Sequence, residues 1–314
     1  MYPNIVEDVH FESFNEFDRK VLMAKRYPDA DILFRGHASE SHKLISTAGR
    51  FDTKSVLHPN AEKNAIISEH RQVNAEYEAL KKFHDNLKKM SFEDTPKTTP
   101  RHGNRHTWLM REMLELVALA RHEGLPTRTL DWTVEPRVAT YFAAEGALRK
   151  GVQAINSGNK NWENDKMVIY EWDLDRLLDY LTPIQYRSFL KNLSLKTIDA
   201  AFDANPNARA QKGLLSYHEI KAPYNKKRYE EVSFDKQLST AVKKFVREKN
   251  LGEDVLGEIK LLTRFTIPVT ECSKAVKAMK AQGYCAMTMF PQTPKGAVNQ
   301  YYEDQLVKAY DAAS

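Results

Sequence analysis

An arginine and a glycine close an apolar segment early in the chain. Arg35 follows the apolar residues 32–34 and precedes Gly36. The segment predicts a strand, and a guanidinium at its end presents a planar fork that binds phosphate or carboxylate groups. The glycine permits a backbone or a ligand to approach closely. Two interpretations follow for Arg35: a ligand contact, or an internal ion pair with Asp131 or Glu135.

The segment LPTRTLDWT, residues 125–133, places a cation, a carboxylate and an indole directly before a predicted helix. We predict that this segment is a loop and that Thr133 caps the helix, whose free N-terminal amides favour an anionic group near Arg128. Trp132 would then stack on a planar base or on nicotinamide, and Asp131 would contact a ribose hydroxyl or a developing cation. The alternatives are that Trp132 anchors the loop in the core and that Asp131 is the helix cap.

The histidines and cysteines indicate no metal site. His122 lies at the end of an apolar helical face. It is expected either to line a pocket, where it would act as an acid or base, or to cap the helix. His102 and His106 are four residues apart, but the glycine between them indicates a loop, and no pair of carboxylates completes a site. Cys272 and Cys285 are too few for a zinc site or a disulfide framework, and we expect both to be reduced.

Composition places the chain among globular proteins of mild charge. Hydrophobic residues make up 42% of its 314 residues, and the net charge of +5 comes from interspersed charges without a basic arm. No apolar run reaches the roughly 20 residues that span a bilayer, and the first residues do not resemble a secretory signal. We therefore expect a cytoplasmic protein that does not contact a membrane.

The order of the predicted elements favours an α+β fold. Strands are predicted at residues 31–36, 167–172, 208–220 and 262–268, where apolar and β-branched residues alternate. Helices are predicted up to residue 26 and at 61–90, 109–120, 134–145, 238–247 and 271–283, and residues 285–291 are predicted as a strand or loop. Since strands and helices do not alternate strictly, one mixed domain with a small central sheet flanked by helices is expected.

The predicted organisation has three parts. An N-terminal helical segment covers residues 1–30, a single domain covers residues 31–301, and a tail covers residues 302–314. Charged excursions near residues 58–105 and 223–258 are interpreted as helical insertions into that domain.

Four segments of the chain resemble the FRG family, which is named after its Phe-Arg-Gly motif. The first, residues 33–50, contains this motif at Phe34, Arg35 and Gly36. The second, residues 119–145, matches the family's long motif from the histidine to the Asp-Trp-Thr sequence. The other two segments, residues 208–217 and 283–301, match through Gln211, Gly213, Phe290, Pro291 and Gly296, with departures at Leu215 and Ser46. Resemblance to this family does not by itself imply an activity.

The arrangement also resembles the mono-ADP-ribosyltransferases. These proteins carry an arginine on an early strand, a Ser/Thr-bearing strand that leads into a helix, and a later strand with a catalytic glutamate. The resemblance implies an NAD site in which Arg35, Asp131 and Gln211 are the catalytic candidates. Gln211 stands where the glutamate is expected, and it cannot neutralise a cation, so Asp131 or Glu219 would have to replace it. The residues assigned to NAD binding are Arg35, Gly36, His122, Thr127, Arg128, Trp132 and Thr133.

Three functions remain open from the sequence. The first is a protein that binds NAD or a related nucleotide, either as a transferase or without turning the nucleotide over. As a transferase it would modify a protein or nucleic acid, as a toxin or in defence or counter-defence between bacteria and phages. The second is a nucleic-acid-binding protein that uses the basic residues Lys226, Lys227 and Arg228 between Tyr224 and Tyr229. The third is an interaction module whose long helix at residues 61–90 docks on a partner. The first requires that Arg35 faces a cavity together with Trp132 and is not neutralised inside the protein.

Overall fold

The computed structural model describes residues 4–24, 32–50, 54–61, 66–91, 95–97, 107–109, 111–193, 195–199, 206–218, 220–221, 228–229, 232–251, 255–291 and 294–313. Within these residues, a seven-stranded sheet runs in the order β1-β9-β5-β2-β4-β7-β6, and β3 and β8 form a separate pair. The strands are β1 (Val6–His10), β2 (Leu33–His37), β3 (Thr107–Trp108), β4 (Thr129–Thr133), β5 (Lys166–Trp172), β6 (Leu195–Asp199), β7 (Gly213–His218), β8 (Ile220–Lys221) and β9 (Leu262–Pro268). Neighbours in the large sheet are antiparallel except β1 and β9, which are parallel.

Helices lie on both faces of this sheet. They are α1 (Phe14–Phe17), α2 (Lys54–Leu57), α3 (Glu69–Lys89), α4 (Leu114–His122), α5 (Pro136–Asn156), α6 (Pro183–Asn192), α7 (Pro206–Ala210), α8 (Phe234–Glu248), α9 (Val255–Glu258), α10 (Cys272–Ala281), α11 (Ala286–Met289) and α12 (Pro294–Ala313). The expected combination of helices with one main sheet is confirmed. The sheet has seven strands and is larger than the small sheet that we predicted.

Alternation along β2 builds two cores. Phe34 packs with α5 and α10 on one face of the sheet, and Leu33 packs with Trp132 and α8 on the other. Successive side chains of a strand point to opposite faces, so a short apolar strand with both faces covered contributes to both cores. The next residue on the Leu33 face is Arg35, which therefore lies at the edge of the second core.

Several local predictions are corrected by the structure. Residues 6–10 form a strand paired with β9, and among the described residues of the N-terminal segment the helical structure covers residues 14–22. Residues 286–289 are helical, because Thr288 and the backbone of Cys285 close a capping box there. The last residues form the end of α12, where Glu303 and Tyr310 are buried, so they do not form a tail.

The segment at residues 125–133 also differs from its prediction. Its second half is a strand, β4, in the middle of the sheet. The cap of α5 is Glu135, whose side chain accepts from the amide of Arg137, and Thr133 instead accepts from the amide of Glu135. Local residue types favoured a loop here, but pairing with β7 along all five residues of β4 decides the outcome.

The long predicted helix is shorter than expected and packs on the domain. α3 begins at Glu69 after its cap Ser68, and its buried side is in contact with α4 and the β3–β8 pair. No helix in the described ranges is long and apolar enough to cross a membrane. Both cysteines are free and buried.

Candidate functional site

Backbone packing explains why position 36 is a glycine. A Cβ atom at this position would overlap the carbonyl oxygen of Ala139 on α5. β2 therefore lies directly against the helix, and glycine permits this approach. The close approach predicted at Gly36 is thus made by a backbone.

β2 and β4 are paired at one position, Phe34 with Thr133. Beyond it the guanidinium of Arg35 joins the two strands, because its Nη1 donates to the backbone carbonyl of Asp131 at 2.6 Å. The Nε of Arg35 donates to Nε2 of His37 at 2.9 Å, and Nη1 lies 3.5 Å from Oδ2 of Asp131. Only 10% of the Arg35 side chain is exposed. The internal ion pair, the alternative that we set beside ligand binding, is therefore present in the structure.

Asp131 is shared between two guanidinium groups. Arg121, at the end of α4, donates from Nη2 to Oδ2 of Asp131 at 2.6 Å and from Nε to Oδ1 at 3.1 Å. Its Nη1 donates to the hydroxyl of Thr47 at 2.7 Å, and this hydroxyl also accepts from the amide of Thr127. The carboxylate of Asp131 remains 48% exposed, so it lies at the surface of the group. We refer to Arg35, His37, Arg121 and Asp131 as the Arg35 site.

The charges of the Arg35 site shift one another. Burial lowers the pKa of Arg35 to about 10; Asp131 opposes this shift, whereas Arg121 and Arg50 add to it. Desolvation would raise the pKa of Asp131, but Arg121 and Arg35 hold it well below its usual value. At neutral pH both arginines are protonated and Asp131 is ionised. The three groups therefore carry one positive charge in excess.

His37 is neutral in this environment. Burial and the neighbouring Arg35 lower the pKa of His37 well below its ordinary value. Its Nδ1 lies 3.2 Å from the carbonyl oxygen of His42, which can only accept, so Nδ1 carries the proton. The other ring nitrogen, Nε2, is left as an acceptor for Arg35.

Arg128 lies in a different environment, although it is only three residues from Asp131. It donates to Glu76 of α3 through two parallel bonds, Nε to Oε2 at 3.0 Å and Nη2 to Oε1 at 2.8 Å. Trp108 and Gln72 donate to the same carboxylate, and the exposed fractions are 8% for Arg128 and 4% for Glu76. We refer to Arg128, Glu76, Gln72 and Trp108 as the Arg128 network. Its contacts join α3 to the start of β4.

Trp132 lies in the core. It is 2% exposed, its Nε1 donates to the hydroxyl of Ser216, and its ring contacts those of Trp172 and Phe234. This placement matches the alternative of an anchoring core tryptophan. The ring offers no open face to a ligand, so the condition that Arg35 and Trp132 face one cavity is not met. A ligand at Arg35 would have to bind without a contact to Trp132.

The other predicted residues are distributed around β4. Gln211 precedes β7, and its side-chain amide donates to the backbone carbonyl of Met289. Its backbone carbonyl accepts from the hydroxyl of Thr133. His122, at the end of α4, is within hydrogen-bond distance of Asn207. Thr127 is buried and bonds with Thr129. The structure therefore brings together Arg35 and Asp131, but it gives Gln211 and His122 partners elsewhere.

Sequence reasoning missed Arg121, His37 and Thr47 as parts of the site. Arg121 directly follows the apolar run of α4, where a cation on a buried helix signals a nearby carboxylate. His37 stands two residues after Arg35, on the same face of the same strand, which is a signal that strand periodicity provides. Thr47 carried no signal, because its hydroxyl meets Arg121 only through the fold.

The structure describes only some of the residues on which the remaining predictions depend. Lys226, Lys227, Tyr224, Glu219, His102 and His106 lie outside the described residues. The ring of Tyr229 lies 5.2 Å from the guanidinium carbon of Arg128, so it packs against the Arg128 network. Among the described residues no group of acidic, histidine or cysteine side chains is arranged to hold a metal ion.

Comparison with known proteins finds a family match in the first half of the chain. No curated protein and no solved structure matches the chain. The model of the FRG domain matches residues 30–151, a range that includes Arg35, Arg121 and β4. The resemblance to mono-ADP-ribosyltransferases stays a prediction. The chain carries an FRG domain over residues 30–151.

Proposed function

We propose that this protein binds a phosphate-bearing nucleotide, with NAD as the first candidate, at the Arg35 site. The observation that carries the proposal is that two largely buried guanidinium groups share a single carboxylate. Buried cations are ordinarily paired, and an excess of positive charge in a desolvated position is costly. A phosphate group at this position would supply the missing negative charge.

Arg35 keeps a donor for such a group. Its Nε is used by His37 and its Nη1 by Asp131. Among the described residues no side chain or carbonyl accepts from its Nη2. Guanidinium groups bind phosphate oxygens through strong charge-assisted bonds, so Nη2 is the atom of Arg35 that we assign to the ligand.

The sheet supports NAD as the candidate nucleotide. β2, β4 and β7 are neighbours, in the order in which the transferases carry their arginine, Ser/Thr and glutamate strands. Gln211, before β7, contacts Met289, and Asp131 is already held by two arginines. Binding without turnover is therefore the function that the geometry favours, and release of nicotinamide would extend it to a transferase. A role in conflict between bacteria and phages belongs to that extension.

Thermal shift and calorimetry with NAD, ADP and inorganic pyrophosphate test this proposal. We expect NAD to stabilise the wild type by mass action. Arg35→Lys should weaken NAD binding by about tenfold or more, because a lysine cannot hold His37, Asp131 and a phosphate together. The matched control is Arg264→Lys. Arg264 lies on the same sheet face, since Tyr170 is the strand partner of both arginines.

The outcomes separate three readings. Equal NAD affinity in the wild type and in Arg35→Lys would contradict the site, and no stabilisation by any of the three anions would contradict nucleotide binding. Equal loss in Arg264→Lys would show that the loss in Arg35→Lys is not specific to the Arg35 site. Nicotinamide release by the wild type, abolished in Arg35→Lys, would show that the site also carries out the reaction.

A further inference from the structure

The geometry points to His37 as the positioning residue of the Arg35 site: its neutral ring, through Nε2, holds the guanidinium of Arg35 so that Nη2 is available to the phosphate of the ligand. This inference rests on the proposed nucleotide site, because it assigns a role toward the same ligand. The hydrogen bonds of His37 go to Arg35 and to the carbonyl of His42 and not to Asp131 or Arg121, so we assign it an effect on the ligand through Arg35.

Two nitrogen atoms of the Arg35 guanidinium are held by partners. Arginine has rotatable bonds along its whole side chain, and a single contact leaves its fork free to turn. In Arg35, Nη1 is held by the carbonyl of Asp131 and Nε by His37. Two contacts at different nitrogen atoms fix the plane of the fork, and Nη2 then has one direction.

The tautomer of His37 is essential to this arrangement. Nε–H of Arg35 can only donate, so Nε2 of His37 must be unprotonated. The carbonyl of His42 secures this state by accepting from Nδ1. A protonated His37 would present an N–H group and a positive charge to Arg35, which would lose its acceptor and gain a repelling neighbour.

Burial and the positive groups around His37 disfavour its protonation, and only the backbone carbonyl of His42, which accepts from Nδ1, acts in the opposite direction. Arg35 lies on its own strand, and Arg50 and His42 lie in the segment that follows. From β5, the ring of Tyr170 contacts the ring of His37 with centroids 5.3 Å apart. His37 itself is 5% exposed. Protonation is thus delayed to acidic pH, where it should release Arg35 and weaken binding.

Histidine-selective and arginine-selective ¹⁵N NMR tests the contact without any ligand. At neutral pH we expect the His37 signals of a neutral ring protonated at Nδ1. The Nε–H signal of Arg35 should shift in His37→Leu, which has no acceptor, and less in His37→Gln, whose side-chain oxygen can accept. A ring protonated at Nε2 at neutral pH overturns the inference, whatever the ligand result.

Calorimetry with NAD from neutral pH down to the lowest pH at which the protein stays folded tests the functional part. Because the pKa of His37 is lowered well below 6.5, wild-type affinity should stay constant around neutral pH and fall only at clearly more acidic pH, while His37→Gln should bind with a flat profile. His42→Gln is the matched control, because it keeps the backbone carbonyl that accepts from His37 and should retain the wild-type profile. Identical profiles for the wild type and His37→Gln, with NAD bound, reject the role of His37 alone. Absence of NAD binding by the wild type at every pH rejects the nucleotide site itself, and the role of His37 falls with it.

Discussion

The Arg35 site and the Arg128 network contain arginines of nearly equal burial but differ in net charge. In the Arg128 network one guanidinium meets one carboxylate through two parallel bonds, and Trp108 and Gln72 satisfy the remaining acceptors. In the Arg35 site two guanidiniums share the carboxylate of Asp131, which is half-exposed. The first arrangement is complete and joins α3 to β4; the second has an excess of charge.

The difference shows which feature of a buried arginine indicates a ligand. Burial alone does not, because both arginines are buried. The ratio of cations to anions among the contacting groups separates them, since a complete pair needs no further partner and an excess cation does. Arg128, which we had expected to bind a ligand, has a carboxylate partner of its own, and Arg35 shares one.

The largest effect is expected from opening the Arg128 network. Arg128→Met leaves the carboxylate of Glu76 buried without a cation and should lower the free energy of unfolding by about 3–5 kcal/mol. Urea unfolding measures this change. The double variant Arg128→Met with Glu76→Gln removes both charges and keeps an acceptor for Trp108, so it should recover more than half of the loss. If Arg128→Met is as stable as the wild type, the Arg128 network does not have the structural role that we assign to it.

A smaller loss in the free energy of unfolding is expected when Arg121 is removed from the Arg35 site. Arg121→Met leaves Asp131 with Arg35 at 3.5 Å and takes the donor away from Thr47. Because the Asp131 carboxylate is half-exposed, solvent screens the change, and we expect a loss of about 1–2 kcal/mol. Arg35→Met should cost less, since the bidentate contact between Arg121 and Asp131 persists. If Arg35→Met proves the more damaging in urea unfolding, Arg35 is a structural residue and the comparison fails.

The smallest effect concerns pH. The folded pKa of Asp131 lies below the ordinary value of 3.8 that it has in the unfolded chain. Its stabilising contribution is therefore present above pH 3.8 and is lost as the pH falls below that value. Asp131→Asn should be less stable than the wild type by about 1 kcal/mol at neutral pH, after allowance for solvent screening. The two proteins should converge in urea unfolding as the pH falls below 3.8, and a constant difference would show that Asp131 acts through something other than its charge.

Much of the fold followed from local sequence patterns. The alternation at residues 167–172 and 262–268 predicted β5 and β9, and the apolar repeat with a glycine stop predicted α10, which is followed by Gly283 at a positive φ of 88°. Residues 6–10 were missed, because only pairing with β9, more than 250 residues away, makes them a strand. β4 was missed for the same reason, since its turn-like residues are held by β7.

The sequence alone determined that Arg35 lies on a buried strand and that Gly36 allows a close approach. It also showed that a carboxylate and a second arginine, Asp131 and Arg128, lie near each other in the segment at residues 125–133. Tertiary structure alone decided which groups meet. It paired Arg128 with Glu76, brought Arg121 of α4 and Arg35 of β2 to the same carboxylate, and placed Trp132 in the core. The physical reason is that the charge balance of a buried group depends on partners from distant segments, and local residue patterns carry no information about those distances.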